Sequence, residues 1–335
     1  MDFIDLTSLH SYSYLLVLAA ILLTTKLLGL FSRWVRLPQV LGALVAGVIL
    51  GPVVNAIVGW STGDGFFSQA AGSDQLFGML SELGVIVLMF GAGLETDVQE
   101  MKKCGKASLI IAVIGVVTPL IFGAGASYFF IDDPNSQEKL LKSIFIGVVL
   151  TATSVSITVE TLKELGKLNS PASNAILGAA IIDDVLGIIA LTIITSFKSK
   201  DVNIWFVLIK IVLFFIFAAI LGFIMLKIYK WMNKHTSRDS RRHVIIAFAY
   251  CLVSSFVAEV FFGVADITGA YVAGLVLSMT NRKRYLVNRF STLSYMLLSP
   301  IFFACIGLTI EMPELTVSLL VFAILITIVA VATKL

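Results

Sequence analysis

Charge is what this sequence has least of. Asp, Glu, Lys and Arg make up 13% of its 335 residues, against ~25% in typical soluble domains, and a water-facing surface cannot be built from so little. Histidine is nearly absent: His10, His235 and His243 are the complete set, and no two have metal-ligand spacing. The cysteines Cys104, Cys251 and Cys305 are far apart, odd in number and without a Cys-x-x-Cys pair. That disfavours a disulfide framework or a zinc site and favours buried apolar filler. No Lys or Arg precedes Lys26, so the basic start of a signal peptide is missing and the first apolar stretch is expected to stay as a helix. There is no polybasic tail, and a net charge of +3 is too small to argue for nucleic acid. Pro/Ser linkers, heptads and low-complexity tracts are also lacking, which leaves residues 1–335 as one integral membrane domain.

What is abundant is apolar. The set from Ala to Cys reaches 58% of the chain, about the number needed for ten membrane helices at ~20 residues each. An all-α, polytopic membrane protein follows. Apolar runs bounded by charge, Gly or Pro mark eleven spans, at 12–32, 38–59, 76–95, 107–130, 140–162, 174–196, 204–228, 243–263, 265–280, 293–310 and 315–335. With the N-terminus outside, eighteen Lys and Arg fall on the inner side, among them Lys102, Lys103, Arg241, Arg242, Lys283 and Arg284. Only Lys139, Lys142, Lys198 and Lys200 fall outside, while the outer connections collect Asp64, Asp74, Asp132, Asp133, Glu311 and Glu314. This is a positive-inside pattern, and one missed span would scramble it.

Two carboxylates stand in the middle of an apolar span, at Asp183 and Asp184. A charge at the bilayer centre costs ~2.5–3.5 kcal/mol on insertion scales. Desolvation and mutual repulsion forbid two bare anions side by side, so at least one must be protonated, paired with a cation or bound to a metal ion. Neighbours on a helix point ~100° apart, so the two acids should have different partners. Gly178, Ala179 and Ala180 before them and Gly187 after them are small enough to admit neighbouring backbones. A buried acid silenced by a nearby base is the bland alternative, but apolar residues would serve that purpose with greater stability. The preceding span carries five hydroxyls between Thr151 and Thr158. Such hydroxyls either pack helices together or bond back onto carbonyls and open the helix, which frees groups that suit a small cation.

The run Thr151-Ala152-Thr153-Ser154-Val155-Ser156-Ile157-Thr158 on to Leu168, followed by Ile176-Leu177-Gly178-Ala179-Ala180-Ile181-Ile182-Asp183-Asp184-Val185-Leu186-Gly187, resembles the NapA-type sodium/proton antiporters of the monovalent cation:proton antiporter superfamily. Further matches are Leu37-Pro38-Gln39-Val40-Leu41-Gly42 with Gly47 and Gly51-Pro52, and Leu83 to Phe90 with Gly93-Leu94-Glu95. Val264 to Tyr271 with Ala273-Gly274-Leu275, and Pro300-Ile301-Phe302-Phe303 with Gly307, complete the set. The likeness spans essentially the whole chain.

The resemblance implies an NhaA-like inverted-repeat fold with two discontinuous helices crossing near the midplane, and a homodimer in the cell membrane, a bacterial inner membrane. Residues 1–196 would form the first repeat, 204–228 the linker helix and 243–335 an incomplete second repeat. The family continues for about two further helices, so the chain is expected to be a partial antiporter lacking half of its crossing. It should not transport by itself, and cation flux from it in vesicles would refute this. Thr153 and Ser154 would lie at the break of the first crossing helix. Asp184 would take Na⁺ or the proton, and it is the one expected metal ligand. Asp183 would pair with Lys334, an arrangement that could make exchange electrogenic. Counted from Pro313, Lys334 lies 21 residues along its helix, ~30 Å deep, which alone reads as an interfacial anchor. No cofactor is implied beyond the transported Na⁺ and H⁺.

Other charges read as supporting. Glu82 and Glu259 are expected in structural roles near span ends, Lys210 as snorkelling outward, and His235 and His243 as residues of a solvated inner loop with pH sensing as their other reading. Three other functions stay open. The potassium/proton efflux branch usually carries Gln-Asp at the acid pair. An intramembrane aspartyl protease needs two acids facing one water, normally from separate helices. A membrane scaffold gains nothing from buried acids.

Overall fold

A computed structural model describes residues 13–54, 75–131, 134–168, 170–198, 204–235, 241–310 and 316–334. His10 and the acids Asp64, Asp74, Asp132, Asp133, Glu311 and Glu314 lie outside the described residues, as do Pro313 and Leu335. The described residues are helical, with no strand among them. Nine helices among them are long and apolar enough to cross a membrane, and Gln39–Val53 and Asp266–Ser278 are shorter apolar ones. Together they correspond to the eleven expected spans.

The elements are α1 (Ser13–Trp34), α2 (Gln39–Val48), α3 (Gln75–Glu95), α4 (Val98–Phe130), α5 (Ser136–Thr151), α6 (Val155–Glu164) and α7 (Pro171–Lys198), then α8 (Ile204–His235), α9 (Arg241–Val257), α10 (Asp266–Ser278), α11 (Lys283–Leu293), α12 (Ser299–Leu308) and α13 (Val317–Lys334). Wider π-type turns at Ile49–Val53, Ala258–Phe262 and Ser294–Leu298 extend α2 and α9 and join α11 to α12. Pro52 lies in the first of these turns and Pro300 just after the third. Each removes a helical N–H, which is where a helix widens or bends. Reading the tenth span as 293–310 misses the start of this rod, because the basic stretch from Lys283 is already helical. Long Lys and Arg stems keep their charges at the surface while the backbone stays in the helix.

Local signals account for the ends. Asn135 caps α5 by accepting from the Gln137 amide at 3.1 Å, satisfying one of the donors a helix start leaves unpaired. Asn135→Ala is expected to cost ~1 kcal/mol, read as a lower unfolding midpoint in detergent. An unchanged midpoint would mean that the cap carries no stability.

The helices sort into two packed groups. One comprises α1, α2, α3, α9, α10 and the α11–α12 rod; the other comprises α4, α5, α7 and α13. α8 runs against α7, α9 and α10, and the short α6 touches α2, α3 and α7, so these two elements connect the groups. The first group has a continuous core around Phe90, Tyr271, Leu277 and Phe290, with the Phe90 and Phe290 rings edge to face at 4.7 Å. In the second group, α13 has no buried residue.

His243 corrects the solvated-loop expectation. It is fully buried and its ring meets Tyr229 of α8 edge to face, with centroids 5.4 Å apart. Its carbonyl accepts the Tyr229 hydroxyl at 2.5 Å. Polar character placed it in a loop, but α9 starts at Arg241, and residue 243 falls on the face toward α8. His235 ends α8. The Lys210 ammonium folds back over the Phe206 ring at 4.8 Å.

Candidate functional site

The site is built where a helix stops at the edge of the second group: Thr151 is buried, whereas Ala152, Thr153 and Ser154 are exposed. α5 ends at Thr151, Ala152 and Ser154 adopt extended backbone (ψ 124° and 102°), and α6 restarts at Val155. The hydroxyls of the run make the break. Thr151 Oγ1 donates back to the Val148 carbonyl at 2.7 Å and Thr158 Oγ1 to the Ser154 carbonyl at 2.9 Å. Ser154 Oγ caps α6 by accepting from the Ile157 amide at 3.3 Å. Side chains thus replace backbone bonds that a continuous helix would have made. The break leaves the carbonyl, negative end of one half-helix facing the amide, positive end of the other.

A cation side chain occupies the carbonyl end. Lys334 Nζ donates to the Thr151 carbonyl at 2.7 Å, to Thr153 Oγ1 at 2.5 Å and to the Gly115 carbonyl of α4 at 3.2 Å. This overturns the interfacial-anchor reading of Lys334. Along the described helix, counted from Val317, the lysine is ~25 Å on, and its side chain turns toward the break. Thr153 Oγ1 in turn lies 3.4 Å from the Thr151 carbonyl.

α7 brings the acids. Asp183 is buried, 8% exposed, and its Oδ1 has no hydrogen-bond partner. It interacts with the Thr153 hydroxyl and lies within electrostatic reach of the Lys334 charge, yet the pair does not approach within the 4 Å of an ion pair: the Glu138–Lys142 and Glu95–Lys163 contacts are of that kind, and this one is not. Asp184 is half-buried, and among the described residues the charge acting on it is that of Asp183 and not of a cation. The two acids therefore sit in different surroundings, as the helical turn between them requires. Thr153, Asp183 and Lys334 converge, Ser154 serves the α6 cap, and the lysine charge acts on Asp183 rather than on Asp184.

Of the small residues around the acids, Gly178 matters sterically. A β-carbon there would come 2.6 Å from Ser108 Oγ of α4, which donates to the Ala175 carbonyl at 3.0 Å. Gly187 was expected to admit another backbone, but nothing approaches its β position within 4 Å.

Two cavities flank α5 and α6. A cleft of about 610 Å³ runs between α5 and α13, lined by Val149, Ala152, Thr327, Ala330 and Lys334 among others. A smaller cavity of about 250 Å³ lies where α6 meets the first group, lined by Lys26, Glu160, Glu164, Tyr295 and apolar neighbours. There the Glu164 carboxylate accepts the Gln39 amide at 2.8 and 3.0 Å, at the start of α2, and Lys163 pairs with Glu95 of α3 at 3.8 Å. Among the described residues no cluster of three His, Cys, Asp or Glu could hold a resident metal.

Sequence reasoning missed the carbonyls. The Gly115 and Thr151 oxygens carry no side-chain signature, although Pro119, four residues after Gly115 inside α4, was a readable sign of a freed carbonyl. It also passed over Glu160 and Glu164.

A helical membrane protein with a broken helix, an acid pair within a span and a lysine held in the break is a secondary transporter for small cations rather than a catalyst. The family profile described as "Sodium/hydrogen exchanger, transmembrane" matches residues 18–335, and the chain belongs to that family. It is 38% identical over 323 residues to the "Probable Na(+)/H(+) antiporter GerT" of Bacillus cereus, covering 95% of this chain and 79% of the relative. It is 34% identical to the "Na(+)/H(+)-K(+) antiporter GerN" of the same organism, covering 97% and 78%. The Na(+)/H(+) antiporter of Enterococcus hirae is 31% identical, covering 95% and 79%. Among solved structures, the sodium proton antiporter MjNhaP1 from Methanocaldococcus jannaschii shares the fold, with a TM-score of 0.64 at 18% identity over 89% of this chain and 71% of that one. A second structure of it gives 0.67 at 17% identity over 98% and 75%.

Proposed function

We propose that this multi-pass membrane protein exchanges Na⁺ for H⁺ by alternating access, with the ion and the proton competing for Asp184. Only the anion of Asp184 can hold Na⁺, together with Thr153, Ser154 and carbonyls of the break. Either ligand neutralises the acid and lowers the cost of moving it through a low dielectric, whereas the empty anion is held back by that cost. The observation that carries the reading is the juxtaposition of the helix break, whose carbonyl end holds the Lys334 ammonium, and the acid pair of α7. Asp183, within reach of the Lys334 charge, balances that charge and leaves Asp184 free to exchange ligands.

The finer features extend this reading. The N-terminus lies outside, the protein works as a homodimer in a bacterial inner membrane, and residues 1–196 and 243–335 are repeats joined by the helix at 204–228. K⁺ is a second cargo worth testing, because a relative 34% identical is named for both Na⁺ and K⁺.

The test is dissipation of a preset pH gradient in vesicles by Na⁺, Li⁺ or K⁺ added in turn to the intact antiporter. Na⁺ is expected to collapse the gradient at the lowest concentration. A gradient that no monovalent cation collapses would end the exchange reading, and a response to K⁺ alone would move the protein to potassium efflux.

A further inference from the structure

Pro119 is buried within α4. Proline has no amide N–H, so the carbonyl four residues earlier, that of Gly115, loses its helical donor, and the ring pushes that carbonyl outward. The oxygen does not go unused. α13 packs on α4, and Lys334 Nζ donates to the Gly115 carbonyl at 3.2 Å. Nothing lies within 4 Å of the β position of Gly115, so no neighbouring group crowds that side of the backbone. An ammonium has three N–H donors, and this one has three acceptors: the Gly115 carbonyl, the Thr151 carbonyl and Thr153 Oγ1. Two of these belong to the helix break. The third comes from an uninterrupted helix and is available because residue 119 is proline.

We propose that Pro119 is a positioning residue for the exchange: by freeing the Gly115 carbonyl it completes the hold on the Lys334 ammonium in the break, against the oxygens that an entering cation needs. The inference rests on the reading that Na⁺ binds between the break and the acid pair. A cation arriving at the Thr151–Thr153 end must displace the ammonium from those oxygens, so the strength of the hold sets how much Na⁺ is required. Pro119→Ala returns an N–H that bonds the Gly115 carbonyl and draws it back into α4, leaving the ammonium with two strong acceptors.

The experiment measures the half-saturating Na⁺ concentration for vesicle exchange, alongside the Na⁺-dependent rise in unfolding midpoint, which reads binding without transport. Pro119→Ala is expected to lower the half-saturating Na⁺ about tenfold, equivalent to ~1.4 kcal/mol and the scale of a hydrogen bond to a charged group, with the maximal rate little changed. In a Lys334→Ala background the same substitution is expected to shift neither quantity, because its effect runs through the lysine. If the alanine variant does not assemble, Pro119→Gly restores the same N–H and is read in the same way. An unmoved half-saturation, or an equal shift without Lys334, would overturn the role. Asp184→Asn run in parallel separates the two ideas. Undiminished exchange in that variant sinks the reading that ion and proton compete for Asp184, whereas its loss combined with a silent Pro119→Ala sinks the positioning role alone.

Discussion

Asp184→Asn is expected to abolish pH-dependent cation exchange while leaving the protein folded. Asparagine has nearly the shape of aspartate and still accepts hydrogen bonds, so packing around α7 changes little. What disappears is the negative charge that replaces the water stripped from Na⁺, and with it the group that takes a proton in the opposite half of the cycle. An anion about 4 Å from a unit charge is worth ~4 kcal/mol at an effective dielectric near 20, which corresponds to roughly a thousandfold loss of affinity. Among the described residues, the charge acting on Asp184 is that of Asp183 and not of a cation that would blunt this effect. Vesicle assays that record the pH gradient across a range of external pH read the outcome directly. Exchange at wild-type rate in the variant, with its usual pH dependence, would remove Asp184 from the mechanism.

The second large effect concerns folding rather than transport. Gly93 of α3 and Gly274 of α10 face each other where those helices cross. A β-carbon at Gly93 would run into the Tyr271 carbonyl and lie 2.9 Å from the Leu275 amide nitrogen and 3.1 Å from Gly274 Cα. One at Gly274 would run into the Phe90 carbonyl and lie 2.9 Å from the Leu94 amide nitrogen and 3.0 Å from Gly93 Cα. These obstacles are backbone, which cannot rotate away as a side-chain tip can. Gly93→Val or Gly274→Val therefore forces the helices apart and strips contacts from the core around Phe90 and Tyr271. Overpacking of this kind costs ~1–3 kcal/mol and more where the backbone cannot yield, against a total stability of ~5–15 kcal/mol. The expected result is little or no monodisperse protein after detergent extraction. Gly91, two residues away with nothing within 4 Å of its β position, is the control: Gly91→Ala should extract normally and gain up to ~1 kcal/mol from helix propensity. Normal yield and midpoint from both valine variants would show that the crossing tolerates separation.

The same glycines show how far the motifs could be read. Gly47, Gly93, Gly274 and Gly307 all belonged to the runs that carried the family likeness, but as letters they had no stated task. The structure pairs them, Gly93 with Gly274 and Gly47 with Gly307, as points where backbones touch. Gly187 belonged to the same kind of pattern and pairs with nothing. A small residue permits close approach, and whether a second helix arrives depends on a part of the chain far away in sequence.

The acid pair was legible because its signal is local: two charges in an apolar run need a counterpart wherever the fold puts them. The break at Ala152–Ser154 was legible in the same way, since the hydroxyls that open the helix lie within one turn of it. The apolar spans followed from hydropathy alone, because the bilayer sets a length and a composition that each segment meets by itself. His243 was misplaced by the same local reasoning, taken as exposed because it is polar, and depth along a helix by itself read Lys334 as interfacial where the family likeness set it against Asp183. Their surroundings come from α8 in one case and from α4, α5 and α7 in the other.

Sequence by itself thus determined what the membrane spans must contain: apolar helices, a carboxylate pair and a hydroxyl-rich interruption, the last two costly enough in hydrocarbon to need partners. Only the tertiary structure decided which groups meet. It gave the Lys334 ammonium to three oxygens rather than to a direct ion pair with Asp183, and it drew on a carbonyl released by a proline in another helix. Hydrogen bonds to backbone oxygens depend on where helices cross, and residue identity does not encode that.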